Sequence, residues 1–409
     1  MGKSSHPPIL LLIVFICFPQ LSETIYTPSL PNLAEDLHVS AGLSQWTLSI
    51  YFIGFSLGVG FWGAYSDSAG RRPAILMGTL VYILGSIGCY FSHSISLLLT
   101  MRLMQAFGIS VGSVVVQSIL RESFEPKRRN QLFSQIVVAT AFSPLLGPLV
   151  GGALSGRFGW KMNFLFLIGS GVLLFFTSLK YLTETHHQRG KSERTLGFGS
   201  LFSRLMSSPK IVTYLLLVAL FNGIMFSFFS EAPFIFIDLI GLSPSSYGLL
   251  GLLIGIGVLM GGCLTNYLNR RWRAESIIRL GCMGSIISII ILNITTGLVS
   301  VKHGKMINIS YLLLPITLFF FFFNISIPIL LSTALQGFEK NIGTASSIFG
   351  AAYYILTAIF NFIMGYLDNH SITRMPRYFL ALSGLMLILT LLSYLRDRKN
   401  TPKTKDKRV

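Results

Sequence analysis

Three ionisable residues lie inside long apolar stretches of this sequence. Glu23 and Arg102 each interrupt an apolar run, and Glu231 stands among several phenylalanines. An arginine inside a membrane span costs about 2.5 to 3.5 kcal/mol on insertion scales, so we expect it to face water, a ligand or a carboxylate. A carboxylate in the same setting can take up and release a proton. The chemistry that these residues suggest is therefore proton exchange within a membrane.

Glu23 and Arg102 are predicted to lie at similar depths. At about 1.5 Å per residue, Glu23 lies roughly 21 Å from the inner end of its helix, about 9 Å below the outer surface of a 30 Å core. Arg102 enters from the outside and lies roughly 8 Å down. An ion pair or a shared proton is one interpretation. Snorkelling of Arg102 to the outer interface and a fixed structural pairing are the alternatives.

Glu231 is the second candidate for carrying the proton. It lies about 30 Å along its helix from Ile211, which places it near the outer mouth of a cavity. The alternative is an interfacial carboxylate that is hydrated from outside.

The composition identifies the elements that must position these residues. Hydrophobic residues make up 52% of the 409 residues and charged residues 11%, and the mean hydropathy is +0.66. These values exclude a water-soluble globular domain. The apolar runs are continuous rather than alternating, which favours membrane-spanning helices over a barrel. The sequence predicts an all-α integral membrane protein with twelve transmembrane helices, near 9–30, 45–65, 74–92, 97–119, 133–156, 163–183, 211–236, 245–267, 276–299, 308–332, 343–366 and 375–395.

The distribution of basic residues predicts the orientation. The net charge is +17, yet only six of the 32 Lys and Arg residues fall in predicted outer loops or at their edges: Arg157, Lys161, Lys302, Lys305, Arg374 and Arg377. This bias places both termini in the cytoplasm. The basic tail is then expected to contact anionic lipid, not nucleic acid.

The cysteines and histidines predict no metal site and no disulfide framework. The four cysteines fall inside predicted spans at unrelated spacings. His186 and His187 are adjacent but have no carboxylate or cysteine neighbours in the sequence.

A charged hairpin at 63–72 interrupts the apolar sequence after the second predicted span. It carries Asp67, Gly70, Arg71 and Arg72, and its spacing recurs 199 residues later in a weakened form that begins at Gly262. This repeated spacing indicates that the two halves of the chain arose by duplication. We therefore predict two pseudo-symmetric six-helix bundles, at 1–185 and 211–396, joined by a cytoplasmic linker at 186–210 and followed by a tail at 397–409.

The fifth predicted span is rich in proline and glycine. Such residues free backbone carbonyls and leave a flat helix face, which suits a bend or a sliding contact between bundles. A purely structural kink is the alternative. The residues are Pro144, Gly147, Pro148, Gly151 and Gly152.

Polar and aromatic side chains within the spans are candidates for the wall of an internal cavity. Each aromatic one could equally be a packing residue. The candidates are Tyr26, Tyr51, Gln105, Asn222, Phe226, Phe229, Asn324, Tyr353 and Tyr354.

Three motifs make the chain resemble the major facilitator superfamily. They look like the loop signature after the second helix, the fourth-helix motif of the twelve-helix proton-coupled drug exporters, and the antiporter signature of the fifth helix. In this sequence they read Gly63-x-x-x-Asp67-x-x-Gly70-Arg71-Arg72, Arg102-x-x-Gln105 and Gly147-Pro148-x-x-Gly151-Gly152.

Three further stretches resemble the bicyclomycin and chloramphenicol resistance (Bcr/CflA) branch. They lie at 27–40, 105–116 and 343–347. The chain departs from the usual patterns at Ser68, Ala106 and Ser143, and the last two weaken an export assignment relative to uptake.

The resemblance implies a monomeric transporter of the bacterial inner membrane, driven by the proton gradient without a cofactor. It would export drugs or other small amphipathic molecules, lipophilic or cationic, by alternating access. A proton-linked uptake carrier for a nutrient or metabolite is the alternative. An embedded enzyme or a receptor is a different class, which the sequence does not favour because it has no clustered nucleophile, metal ligands or phosphate loop.

The resemblance also implies that the 63–72 hairpin is a conformational latch. Asp67 would contact the N-terminus of the eleventh helix near Gly343. Arg71, Arg72 and Glu122 would complete a cytoplasmic charge network that holds the inner gate shut while the cavity faces outward.

Overall fold

The computed structural model describes residues 7–185, 198–299, 304–338, 342–367 and 371–400. Within these ranges the chain forms helices and no strand. Eleven helical segments are long and apolar enough to cross a membrane, and α7 supplies a further long helix at Pro126–Phe158. The predicted all-α membrane fold is therefore confirmed. Helices suit a membrane because they satisfy the hydrogen bonds of their backbone groups without water.

The helices follow one another in chain order with short connections. Their bounds are α1 Ile9–Thr24, α2 Leu30–Asp36, α3 Ala41–Ala69, α4 Arg71–Tyr90, α5 Ile95–Ile109, α6 Val111–Ser123, α7 Pro126–Phe158, α8 Lys161–Tyr181, α9 Phe198–Met206, α10 Pro209–Pro233, α11 Pro244–Leu268, α12 Ala274–Thr296, α13 Lys305–Ala334, α14 Ile342–Tyr366 and α15 Arg374–Asn400.

Two predicted spans differ in detail from the structure. The first runs as a bent segment through Asp36 instead of ending near residue 30, because the 3₁₀ turn Thr27–Ser29 joins α1 to α2. The prolines at 28 and 31 stand at the start of the turn and of α2, where their missing N–H groups are not needed. The fourth span consists of α5 and α6, which meet at Ser110.

The glycines of the fifth predicted span form a packing surface on α7. A side chain at Gly147 would meet Thr24, and one at Gly151 would meet the backbone carbonyl of Ile25, both next to the end of α1. Gly152 faces the carbonyl of Pro244 in α11. α7 therefore contacts α1 on one side and α11 on the other. The side chain of Pro144 lies outside the described residues, and the helix continues through that position.

Helices α3 and α14 cross antiparallel, close together in their outer halves. Gly42 lies against Gly365, the rings of Trp46 and Phe362 stack at 4.2 Å, and Asn361 donates to Ser49 at 2.9 Å.

The inner halves of α3 and α14 diverge. The space between them is a cavity of about 590 Å³, lined on one side by 60–67 and on the other by 343–350. The protein is therefore closed at the predicted outer end and open at the predicted cytoplasmic end.

The division into bundles at 1–185 and 211–396 stays a prediction. The linker segment 186–197, with His186 and His187, and the tail segment 401–409 lie outside the described residues. Within the predicted linker, Phe198–Met206 forms the short helix α9.

Candidate transport cavity and its charged residues

A central cavity of about 740 Å³ lies between α1, α6, α7, α10, α13 and α14. Its wall includes six of the residues that the sequence predicted, namely Glu23, Asn222, Phe226, Asn324, Tyr353 and Tyr354. They come from α1, α10, α13 and α14, which are far apart in the chain. The helices thus bring together an acid, two amides and three aromatic rings around one space.

Glu23 is the acidic residue deep in this cavity. It is 2% exposed, and its carboxylate lines the cavity. Among the described residues it forms no hydrogen bond and no ion pair within 4.0 Å, and Arg102 is the charge that acts on it. A buried carboxylate without a fixed partner is available to a proton or a ligand.

Arg102 is fully buried and held by aromatic rings instead of by a carboxylate. Its guanidinium carbon lies 4.3 Å from the ring centre of Tyr26 and 4.4 Å from that of Tyr51. It donates to Gln105 at 2.6 Å and to the carbonyl of Ser22 at 3.3 Å, whereas Nε and Nη2 have no partner. Cation–π contacts of this kind are worth about 2 kcal/mol when desolvated.

This arrangement gives Tyr26, Tyr51 and Gln105 a different place from the predicted one. They surround Arg102 and are absent from the wall of the central cavity. Because Arg102 contacts Ser22, it lies at the same depth as Glu23, as the depths estimated from the helix rise predicted. No ion pair joins Arg102 and Glu23. Phe229 packs on Phe226 and Phe320, also away from the cavity wall.

Glu231 lies in the closed outer contact, away from the cavity. It is 4% exposed, and it accepts a hydrogen bond of 2.5 Å from Gln45 of α3. Asn361 of α14 donates to Ser49 and to the carbonyl of Gln45, and accepts from Ser230 of α10. This outer polar cluster joins α3, α10 and α14, so Glu231 stands between helices that must separate for the outer end to open.

The charge network at the predicted cytoplasmic end is formed around Arg71. Its guanidinium binds Asp67 at 2.5 Å and Glu122 at 2.8 Å, and it also donates to Ser66. Glu122 accepts a further hydrogen bond from Thr185. Asp67, Arg71 and Glu122 are thus joined across α3, α4 and α6.

Glu184 is a member of this network that the sequence analysis missed. Its carboxylate accepts the backbone N–H groups of Arg71 and Arg72, at 2.9 and 3.0 Å, and so caps the N-terminus of α4. It occupies the space that a side chain at Gly70 would fill, where φ is +99°. Arg72 donates instead to the carbonyl of Leu179. Only an acidic residue just after the sixth span could have indicated this cap.

The contact between Asp67 and the eleventh helix is not formed in this conformation. Asp67 is 70% exposed, and it lines the inner cavity across from Gly343. The two residues are separated because the inner halves of α3 and α14 diverge. Gly63 packs near Val114 of α6.

Gln20, Gln117, Arg121 and Gln336 line the cavity, and the sequence analysis did not single them out as cavity residues. For Gln20 a signal existed, because it lies three residues before Glu23 and therefore on the same helix face.

These features are those of a membrane transporter, because a largely apolar cavity with a few charged and amide side chains lies among membrane-spanning helices, closed at one end and open at the other. The family model of the Major Facilitator Superfamily matches residues 11–361. The chain therefore belongs to the major facilitator superfamily, as its motifs predicted.

Relatives and solved structures agree with this assignment. An uncharacterized transporter of Rickettsia bellii is 34% identical over 92% of this chain and 94% of its own length. A chloramphenicol resistance protein of Pseudomonas aeruginosa is 25% identical over 96% and 91%, which confirms the resemblance to that resistance branch. The fold is similar to the crystal structure of a D-xylose–proton symporter, with a TM-score of 0.77 and 16% identity over 98% of this chain and 99% of that one.

Proposed function

We propose that this transporter exports small amphipathic molecules in exchange for protons, and that Glu23 is the residue that carries the proton. The supporting observation is that the carboxylate of Glu23 faces the cavity without a fixed partner. Phe226, Tyr353 and Tyr354 offer an apolar wall beside it for the body of a substrate.

In this mechanism Arg102 fixes the charge balance around Glu23. Because Arg102 stays between Tyr26 and Tyr51, its positive charge favours the ionised carboxylate, whereas burial favours the protonated one. Protonation from outside would end the attraction of Glu23 for Arg102 and for any positively charged group of the substrate. One charge crossing 100 mV supplies about 2.3 kcal/mol, which is enough for tens-fold accumulation per coupled proton.

The alternating step would open the outer contact of α3 with α14 and close their inner halves. Such closure would bring the α14 end of the inner cavity toward Asp67, as the latch role proposed for 63–72 requires. The proton gradient is the energy source, and no cofactor enters this mechanism.

Export by this protein is tested in proteoliposomes with an imposed pH gradient. Glu23→Gln and Arg102→Ala should each abolish gradient-driven substrate flux, because the first variant cannot exchange the proton and the second lacks the balancing charge. Glu35→Gln, which changes an exposed acid of α2, should behave as wild type. Unchanged flux in both cavity variants would refute the coupling.

The direction of flux separates export from proton-linked uptake. With the proton moving inward, an exporter moves substrate outward and an uptake carrier moves it inward. Ala106 and Ser143 depart from the usual exporter motifs, so uptake is the alternative that this measurement tests.

A further inference from the structure

Arg121 stands at the cytoplasmic mouth of the central cavity. It lies two residues before the end of α6, it is half-buried, and it lines both the central cavity and the space between α3 and α14. Its Nη1 atom lies 3.7 Å from the position that a Cβ on Gly343 would occupy. Arg121 therefore lies where the space between α3 and α14 joins the central cavity.

The acidic neighbour of Arg121 does not neutralise it. Glu122 is bound by Arg71 at 2.8 Å and by Thr185 at 2.9 Å, on the other side of α6. Successive residues of a helix point about 100° apart, so one acid serves the charge network while the adjacent arginine faces the cavity.

Arg121 forms no hydrogen bond and no ion pair within the part of the chain that the structure describes. The charged side chain that acts on it is Arg129, another cation. Asp67, which lines the same inner cavity, is already paired with Arg71. Among the described residues no acid pairs with Arg121, so its positive charge stands at the mouth, opposite in sign to Glu23 at the deep end.

A guanidinium that lines an open cavity and pairs with no described acid is suited to bind an anion. Its fixed fork of N–H groups matches the two oxygens of a carboxylate, and its field attracts anions and repels cations. The wall next to it is largely apolar, with Leu331 and Leu335 between the mouth and the aromatic residues. The combination fits an amphipathic molecule that has an acidic group.

We propose that Arg121 is the anion-recognition subsite of this transporter and that it recruits amphipathic substrates with a carboxylate or a similar acidic group. This rests on the proposed export function, in which substrate is loaded from the cytoplasm. Substrates whose only charge is a permanent cation are disfavoured at the mouth. Arg121 thereby selects which amphipathic molecules reach Glu23.

The test compares two dyes that differ by one methyl ester. Rhodamine 110 carries a free carboxylate, and rhodamine 123 is its methyl ester, so only the first offers an anion to Arg121. Binding of each dye to the full-length protein in lipid nanodiscs is measured by fluorescence polarisation, without a pH gradient. Wild type should bind the acid more tightly than the ester. Arg121→Gln should weaken binding of the acid about tenfold and leave the ester unchanged, as loss of a charge-assisted contact implies.

Two variants control this result. Arg121→Lys keeps the positive charge and should retain most of the preference for the acid. Arg128→Gln removes an exposed cytoplasmic arginine that donates to Gln131, and it should bind both dyes as wild type does. Unchanged binding of the ester to Arg121→Gln also shows that this variant is folded.

The proposal is overturned if wild type shows no preference for the acid, including the case in which it does not bind the acid measurably. It is equally overturned if Arg128→Gln lowers that preference as much as Arg121→Gln does. Because binding is measured without a gradient, failure of proton coupling in proteoliposomes would leave this result intact, and the two failures are distinguishable.

Discussion

At the scale of the residue, the two buried charged side chains near the cavity, Arg102 and Glu23, have different surroundings. Arg102 has a rigid surround of two aromatic rings, an amide and a backbone carbonyl. Glu23 faces open space. The arginine is therefore the fixed charge, and the carboxylate is the one whose state can change.

Arg102→Lys is expected to abolish transport although it keeps the positive charge. A lysine ammonium cannot stack between Tyr26 and Tyr51 and also donate to Gln105, because it lacks the planar fork of N–H groups. The loss of two cation–π contacts should lower stability by about 1 to 3 kcal/mol. The measurements are gradient-driven flux and thermal unfolding in detergent.

The matched control for Arg102→Lys is Arg157→Lys, at an exposed position near the end of α7. It should change neither flux nor unfolding temperature. Wild-type flux in Arg102→Lys would show that charge alone is required at this position.

At the scale of the element, the glycines of α7 decide how closely helices approach. The chain offers a direct comparison, because Gly151 lies against the backbone carbonyl of Ile25, the residue that follows α1, whereas a side chain at Gly169 of α8 would meet nothing within 4 Å. The antiporter-like motif therefore has a definite steric role, whatever its role in coupling.

Gly151→Ala is expected to destabilise the protein. The added methyl group would collide with the carbonyl of Ile25, and overpacking of this kind costs about 1 to 3 kcal/mol. Since α1 carries Glu23, its displacement should also reduce flux. Thermal unfolding and proteoliposome transport measure the two effects.

Gly169→Ala is the matched control and should be neutral or slightly stabilising, because alanine has the higher helix propensity. If the two alanine variants lost the same stability, close packing at Gly151 would not be the cause.

At the scale of the whole molecule, the closed outer contact and the open inner cavity are the features expected of one state of the proposed alternating cycle. The outer contact combines a stacked aromatic pair, the polar cluster of Glu231, Gln45 and Asn361, and the backbone approach of Gly42 to Gly365. The proposed mechanism requires that this contact separate once in each cycle.

A disulfide between Gly42→Cys and Gly365→Cys is expected to stop transport and to preserve binding from the cytoplasmic side. A Cβ at 365 would lie 2.8 Å from the carbonyl oxygen of Gly42, so the two positions are close enough for a cross-link. The four native cysteines are replaced first. Flux and dye binding are measured before and after reduction.

Reduction of this disulfide should restore flux. Undiminished flux through the oxidised protein would show that the outer ends of α3 and α14 do not need to separate.

The sequence by itself determined the membrane, the helices and the residues that are costly to bury. These properties are local, because a run of about 20 apolar residues must form a helix in hydrocarbon. The family motifs followed from short spacings in the same way.

Only the tertiary structure decided which partners the polar residues meet. In a membrane the lipid-facing and protein-facing sides of a helix are both apolar, so the sequence carries little information about the rotation of each helix. For this reason the ring contacts of Arg102, the hydrogen bond of Gln45 to Glu231 and the cap of Glu184 were not predictable.

The sequence also could not predict which conformation the protein adopts. The two states of an alternating transporter share every residue, so only packing decides which one is observed. That packing separates Asp67 from Gly343 and exposes Arg121 at the mouth of the cavity, which changes this arginine from the end of a helix into a candidate determinant of specificity.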